Sequence, residues 1–404
     1  MDESPLETQT QPTPDFQNIS IPEGFLLGAA TSAHQIEGDN FNSDWWFEEE
    51  KGNLPKSGKA CDHYNRYEED FAIARDIGLN AFRISIEWSR IEPLENQWNR
   101  VAIEHYKKVL LCMKKMGLKR MVTLHHFTLP QWLAEKGGFI TNDGIQAFAR
   151  FAWFVAQNLG DEIDIWCTIN EPEVYMSQSY VIKKWPPFKS NLLLGVRVYF
   201  NLTKAHIEAY KSIKQTLPNA VVGIVKNNVY YEPDQNSFLN KLVCKVADYF
   251  GNRWFLNRIQ FHTDFIGLNY YFTRVLKLSW KFVETVNNDD RPKSDMGWQT
   301  FSEGIYHVLT GLKRYKKPVY ITENGIANAR DDMRKDYIRQ HLAWALKAKS
   351  EGVDLQGYFY WSLVDNYEWA DGYNPRFGLV EINYDTQERK IRPSAAVFKE
   401  IINA

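Results

Sequence analysis

Short apolar runs of β-forming residues recur along the chain at 24–30, 81–86, 119–124, 163–168, 221–226, 265–268, 319–322 and 357–361. Between most of them lie stretches with apolar residues at helical spacing. Those at 64–77, 103–116 and 145–159 stop at Gly78, Gly117 and Gly160, and that at 336–350 stops near Gly352. Glycine after the last turn is a common helix terminator. Strand alternating with helix implies parallel strands, and eight such units imply an α/β chain closed into a single (β/α)8 TIM barrel with its active site at the carboxyl ends of the strands. The rival, an open doubly wound sheet, predicts a phosphate-binding G-x-G-x-x-G after the first strand, which Gly28-Ala29-Ala30-Thr31 does not supply. No Pro/Gly/Ser linker and no internal repeat divides the chain. A flexible polar tail over 1–20 and one catalytic barrel domain over 21–404 are expected, with 227–240 and 277–300 as loops or short helices on the barrel rim.

Composition narrows the partners. The chain has 404 residues, enough for a full-sized core. Its formal net charge of −2 offers no field for nucleic acid or an anionic membrane. No apolar run approaches the roughly 20 residues that span a bilayer, and the polar first twenty residues lack the basic start and apolar core of a signal peptide. Cys61, Cys112, Cys167 and Cys244 stand far apart without a C-x-x-C pair, which argues against a zinc knuckle and for free thiols in a reducing, cytoplasmic setting. No metal or other cofactor is expected, so EDTA should leave activity intact.

Two strings carry the chemistry. Thr168-Ile169-Asn170-Glu171-Pro172 and Ile321-Thr322-Glu323-Asn324-Gly325 each place a carboxylate just after a strand. If both strands belong to one barrel, the carboxylates face each other at its mouth. Opposed carboxylates in different protonation states are what glycosidic cleavage requires. Pro172 turns the chain and Gly325 lets it leave the strand steeply. Arg83 lies inside a predicted buried strand, where a guanidinium needs an anion. The alternatives are a structural ion pair within the barrel and a partnership with a nucleophilic carboxylate. His125-His126 follow the third strand and point to opposite faces, one toward the mouth and one packed outside. Trp361 and the run Tyr367-Glu368-Trp369 leave the eighth strand together; a carboxylate accepts sugar hydroxyls while an indole covers the ring face, with core packing as the alternative use of Trp361.

Together these motifs resemble glycoside hydrolase family 1, the β-glucosidase and β-galactosidase group, over nearly the whole chain from Phe25. The string from Phe25 to Gly38, FLLGAATSAHQIEG, is similar to the family's N-terminal signature. The resemblance implies Glu171 as acid/base and Glu323 as nucleophile. It implies Gln35, His126, Asn170, Glu368 and Trp369 as binders of glycone hydroxyls, with Trp361 as the ring platform. It further implies Asn269 and Tyr271 as groups beside the nucleophile and Arg83 as the arginine that keeps it ionised. The implied reaction is a retaining double displacement on small-molecule β-glycosides, with carboxyl groups roughly 5–5.5 Å apart.

The sequence departs from the family pattern at Phe127, where Trp is common, at Tyr367, where Phe is common, and by a shortened region before Phe265. The shortening suggests a wider or more mobile mouth on the aglycone side. A non-catalytic sugar-binding barrel would have lost a carboxylate, and both are present. A 6-phospho-β-glycosidase would place small and basic groups where Glu368 stands, and Glu368 is expected to repel the phosphate. Preferred glycone, aglycone and oligomeric state are not legible.

Overall fold

A computed structural model of the protein describes residues 12–280, 283–288 and 290–403. Eight parallel strands close into a barrel in chain order: β1 (Leu26–Ala30), β2 (Ala81–Ser85), β3 (Lys119–His125), β4 (Ile165–Asn170), β5 (Val221–Asn227), β6 (Phe265–Asn269), β7 (Val319–Asn324) and β8 (Leu355–Trp361). Closure is visible at Ala30, which pairs with Arg83 on β2 and with Trp361 on β8. Every apolar run singled out in the sequence is one of these strands, and several extend by one or two residues toward the carboxyl end.

The outer helices follow from their apolar stripes. The helix α1 (Arg100–Lys115) buries Ala102, Ile103, Tyr106, Val109, Leu110 and Met113, a face with steps of three and four residues. Its N-cap Asn99 accepts from the amides of Val101 and Ala102 at 3.0 and 3.2 Å, and Gly117 just beyond its end takes φ +74. Gly160 ends its helix differently. It stays right-handed, and the chain runs on into the 3-10 turn Gly160–Glu162.

Gly325 is required by space rather than by φ. A Cβ there would collide with the Trp361 carbonyl, because the chain leaving β7 crosses the end of β8. Gly325→Ala is expected to destabilise the protein by about 1–3 kcal/mol through overpacking, read as a lowered thermal midpoint.

The two irregular stretches are not simply loops or short helices on the rim. Tyr230–Pro233, Thr273–Leu278 and Val283–Val286 form a three-stranded sheet. The helix α2 (Phe238–Asp248) lies between the first two of these strands in sequence. The strands are short and half-exposed, so no long apolar run announces them. Of the polar N-terminal segment, residues 1–11 lie outside the described residues. Within 12–20, Ile19 is buried, and the carbonyls of Pro12 and Gln17 accept from Lys347 and Arg339.

Candidate active site

The strand ends determine which side chains meet. Register shifts interrupt the β4–β5 ladder between Cys167 and Asn170, and the β7–β6 ladder between Ile321 and Glu323. Irregularities of this kind re-aim side chains at a barrel rim. Beyond β4 the chain turns into the helix α3 (Pro172–Tyr180). Glu171 is its N-cap, in the left-handed region at φ +41, ψ +64. A residue before proline favours extended backbone, so this conformation costs on the order of 1–3 kcal/mol. Strain of this size is tolerated where the surroundings fix a side chain in place.

Glu171, Glu323 and Arg83 are 6%, 3% and 0% exposed, so each depends on its neighbours for solvation. Arg83 supplies the largest share for Glu323. Its Nη1 donates to Glu323 Oε1 at 2.5 Å and its Nη2 to Asn170 Oδ1 at 2.7 Å, while Nε is held by Thr123 Oγ1 at 3.0 Å. Tyr271 OH donates to the other oxygen, Glu323 Oε2, at 2.5 Å. Glu171 is held by amides alone: Asn269 Nδ2 at 2.8 Å and Asn227 Nδ2 at 3.1 Å, both on Oε1. A proton on Glu171 therefore belongs on Oε2. Asn269 Nδ2 also donates to Asn170 Oδ1 at 3.3 Å, the same oxygen that Arg83 holds. Asn269 is oriented by Thr322 Oγ1, which donates to its Oδ1 at 2.7 Å.

These surroundings separate the two acids. Burial raises both above the ordinary carboxylate range. For Glu323 the rise is countered by Arg83, Tyr271 and Asn269. For Glu171 burial is reinforced by the negative charges of Glu323 and Glu173, and the amides offset it only in part, so its carboxyl is held well above the usual range. Glu171 is thus the group that keeps its proton while Glu323 is charged. Removing the Glu323 charge therefore lowers the pKa of Glu171. A 13C NMR titration of Glu323→Gln is expected to show Glu171 ionising at lower pH than in the wild type.

A second set of side chains surrounds the carboxyl pair. His126 Nε2 lies 3.2 Å from Asn170 Nδ2, and its ring stacks between Trp361 and Trp369 with centroids 5.9 and 6.1 Å away. Burial first, then Arg83 and His125, hold this imidazole well below its ordinary pKa, so it is neutral and can exchange hydrogen bonds with hydroxyls. His125 turns the other way, into Phe139, Phe148 and Tyr175. Gln35 is locked at both ends. Ser32 Oγ donates to its Oε1 at 2.6 Å, and its Nε2 donates to Asn366 Oδ1, the Tyr367 carbonyl and Glu368 Oε2 at 3.0, 2.9 and 3.3 Å. Trp369 is wedged among Trp45, Phe127 and Trp185.

Glu368 departs from the simple picture of a fixed charge. Desolvation first, then the charges of Asp371 and Glu323, push its carboxyl up to about 8. At neutral pH it is largely protonated. Lys184, the cation whose charge acts on Glu368, is paired to Asp371.

Ten of the eleven site residues singled out in the sequence lie at or beyond the carboxyl ends of the strands, and Arg83 lies in the middle of β2. Asn227 and Thr322 went unrecognised as site residues, as did the pair formed by Glu173 and Lys226. Lys226 carries the same signal as Arg83, a cation inside a buried apolar strand. Among the described residues no group of three or more His, Cys, Asp or Glu side chains is placed to hold a metal ion.

A closed eight-stranded barrel with two opposed, differently solvated carboxyl groups at the carboxyl ends of its strands describes an O-glycoside hydrolase. Comparison with known proteins gives the family. The Glycosyl hydrolase family 1 model matches residues 17–262 and 256–404, and the chain belongs to that family. The two matched stretches overlap at 256–262, just before Phe265. Beta-glucosidase A of Thermotoga maritima is 35% identical, with 95% of this chain and 97% of that protein aligned. A beta-galactosidase of Pyrococcus woesei is 32% identical, over 95% and 97% of the two chains. Among solved structures, a beta-glycosidase from Pyrococcus horikoshii superposes with a TM-score of 0.91 at 40% identity, covering 95% of each chain. The Thermotoga maritima beta-glucosidase in complex with glucoimidazole gives 0.91 at 33% identity, covering 95% and 99%.

Proposed function

We propose that the enzyme is a retaining β-glycosidase that removes terminal β-D-glucosyl residues, with β-D-galactosyl and β-D-fucosyl residues as further candidates, and that Glu323 and Glu171 carry the two chemical roles. The observation that supports the assignment best is the asymmetry of their partners. Glu323 has a guanidinium and a phenol on its two oxygens, whereas Glu171 has only amides and faces a negative neighbour. In the first step Glu323 attacks the anomeric carbon, and the proton of Glu171 passes to the departing oxygen. In the second, Glu171 takes a proton from water, which displaces Glu323. Gln35, His126, Asn170, Glu368 and Trp369 hold the glycone hydroxyls, and Trp361 covers its ring. Arg83, Asn269 and Tyr271 keep the nucleophile charged and aligned.

Glucose as the preferred glycone rests on the names of the relatives, which include both glucosidases and galactosidases. A panel of nitrophenyl glycosides ranks the sugars by kcat/KM. Stereochemistry tests the mechanism. 1H NMR of the first turnovers on a β-glucoside is expected to show the β-anomer as the first-formed sugar, and the α-anomer first would mean an inverting enzyme. The widely separated free thiols support a cytoplasmic location, and no helix among the described residues is long and apolar enough to cross a membrane.

A further inference from the structure

One buried ion pair stands next to the carboxyl pair without belonging to the machinery above. Glu173 is the second residue of α3, two positions after Glu171. Lys226 is the penultimate residue of β5, fully buried. Its ammonium pairs with Glu173 Oε2 and reaches Tyr199 OH and the Gly251 carbonyl at 3.3 and 3.2 Å. The other Glu173 oxygen, Oε1, accepts from the backbone amide of Asn227 at 2.6 Å. The side chain of that same Asn227 donates to Glu171 Oε1 at 3.1 Å. A continuous path therefore runs from Lys226 through Glu173 and Asn227 to Glu171.

Burying the Lys226 ammonium in an apolar strand against a mostly buried carboxylate is expensive, and an apolar pair of similar size would commonly serve stability as well. The path to Glu171 gives the pair another use. We propose that Glu173 and Lys226 form a positioning element for the acid/base, which fixes the Asn227 amide on one oxygen of Glu171 and sets the charge beside it. The inference rests on the reading of Glu171 as acid/base.

The sign of the effect follows from the groups that face Glu171. Glu323 from β7 and Glu173 from α3 oppose its ionisation. Asn227 and Asn269 favour it, Lys226 attracts the ionised form, and the Tyr271 phenol lies close by. Tyr199 and Tyr231 face Glu173. Glu173→Gln removes a negative charge while keeping an oxygen to accept the Asn227 amide. It leaves the Lys226 cation unopposed, so Glu171 ionises more readily. The basic limb of the kcat/KM profile, where Glu171 loses its proton, then moves to lower pH. The double variant Glu173→Gln/Lys226→Met removes both charges, so the shift keeps its direction and shrinks.

The experiment is the kcat/KM–pH profile on a nitrophenyl β-glucoside for the wild type, Glu173→Gln, the double variant and Glu171→Gln. Glu173→Gln is expected to lower the basic limb by about half a unit or more, and the double variant by less. If the single variant does not fold, a downward shift in the double variant alone supports the proposal. Basic limbs that stay in place, or move up, in whichever of the two fold overturn it. Glu171→Gln separates this from the parent reading. If that variant keeps the wild-type basic limb, Glu171 is not the acid/base and the parent reading fails. If the limb vanishes there but is unmoved by the changes at Glu173 and Lys226, only the present inference fails.

Discussion

Glu323→Gly is expected to lose turnover by at least on the order of 10⁴-fold, with substrate binding largely kept. The reason is specific to this site. Arg83 and Tyr271 hold Glu323 from both oxygens, so they pre-align one carboxylate and offer no substitute for it. Removing the side chain leaves a space beside a buried guanidinium, which suits a small anion. Azide should therefore restore cleavage of an activated aryl β-glucoside. It attacks from the face that Glu323 occupied, and the product is the α-glycosyl azide. Wild-type turnover in Glu323→Gly would remove the nucleophile assignment.

The second large effect is at Glu171, and its size depends on the leaving group. Glu171→Ala should lower kcat/KM by about 10²–10⁴-fold for alkyl glucosides and disaccharides, which need a proton on the departing oxygen. A dinitrophenyl glucoside leaves without help, so its first step should survive while the second slows and the glycosyl-enzyme accumulates. Azide then intercepts that intermediate from the opposite face and yields the β-glycosyl azide. The same anion thus gives opposite anomers with the two variants. In the wild type the pH profile is expected to have matching limbs, activity falling on the acid side as Glu323 takes up a proton and on the basic side as Glu171 loses its own. Burial raises both ionisations above the ordinary carboxylate range, and the repulsion of Glu323 carries that of Glu171 further.

Much of this architecture was legible because buried strands write themselves plainly. Each of the eight apolar runs is a barrel strand, and Glu171 and Glu323 stand where β4 and β7 end. Arg83 was legible for the same reason, since a cation inside an apolar strand requires an anion. Its choice of Glu323 depended on closure, which brings β2 and β7 to the same cavity. The contacts that escaped are those between distant segments. Nothing local to Asn227 says that its amide reaches Glu171, and the register shift in the β4–β5 ladder is invisible in either strand alone. Gly325 was noticed for its flexibility, but the carbonyl of Trp361 is what excludes a side chain there. From the sequence Glu368 reads as a negative charge, whereas burial and the charges of Asp371 and Glu323 push its carboxyl up to about 8. The small sheet at 230–233, 273–278 and 283–286 was obscured because three short, half-exposed strands make no apolar run.

The pairing of Glu323 with Glu171 is tested most directly by trapping the covalent intermediate. A 2-deoxy-2-fluoro-β-glucoside with an activated leaving group slows the second step more than the first, so the labelled enzyme persists long enough for peptide mass spectrometry. The expected result is one fluoroglycosyl group per chain, on Glu323, released when an acceptor sugar is added. A label on any other residue, or steady turnover with no covalent species, would contradict the account.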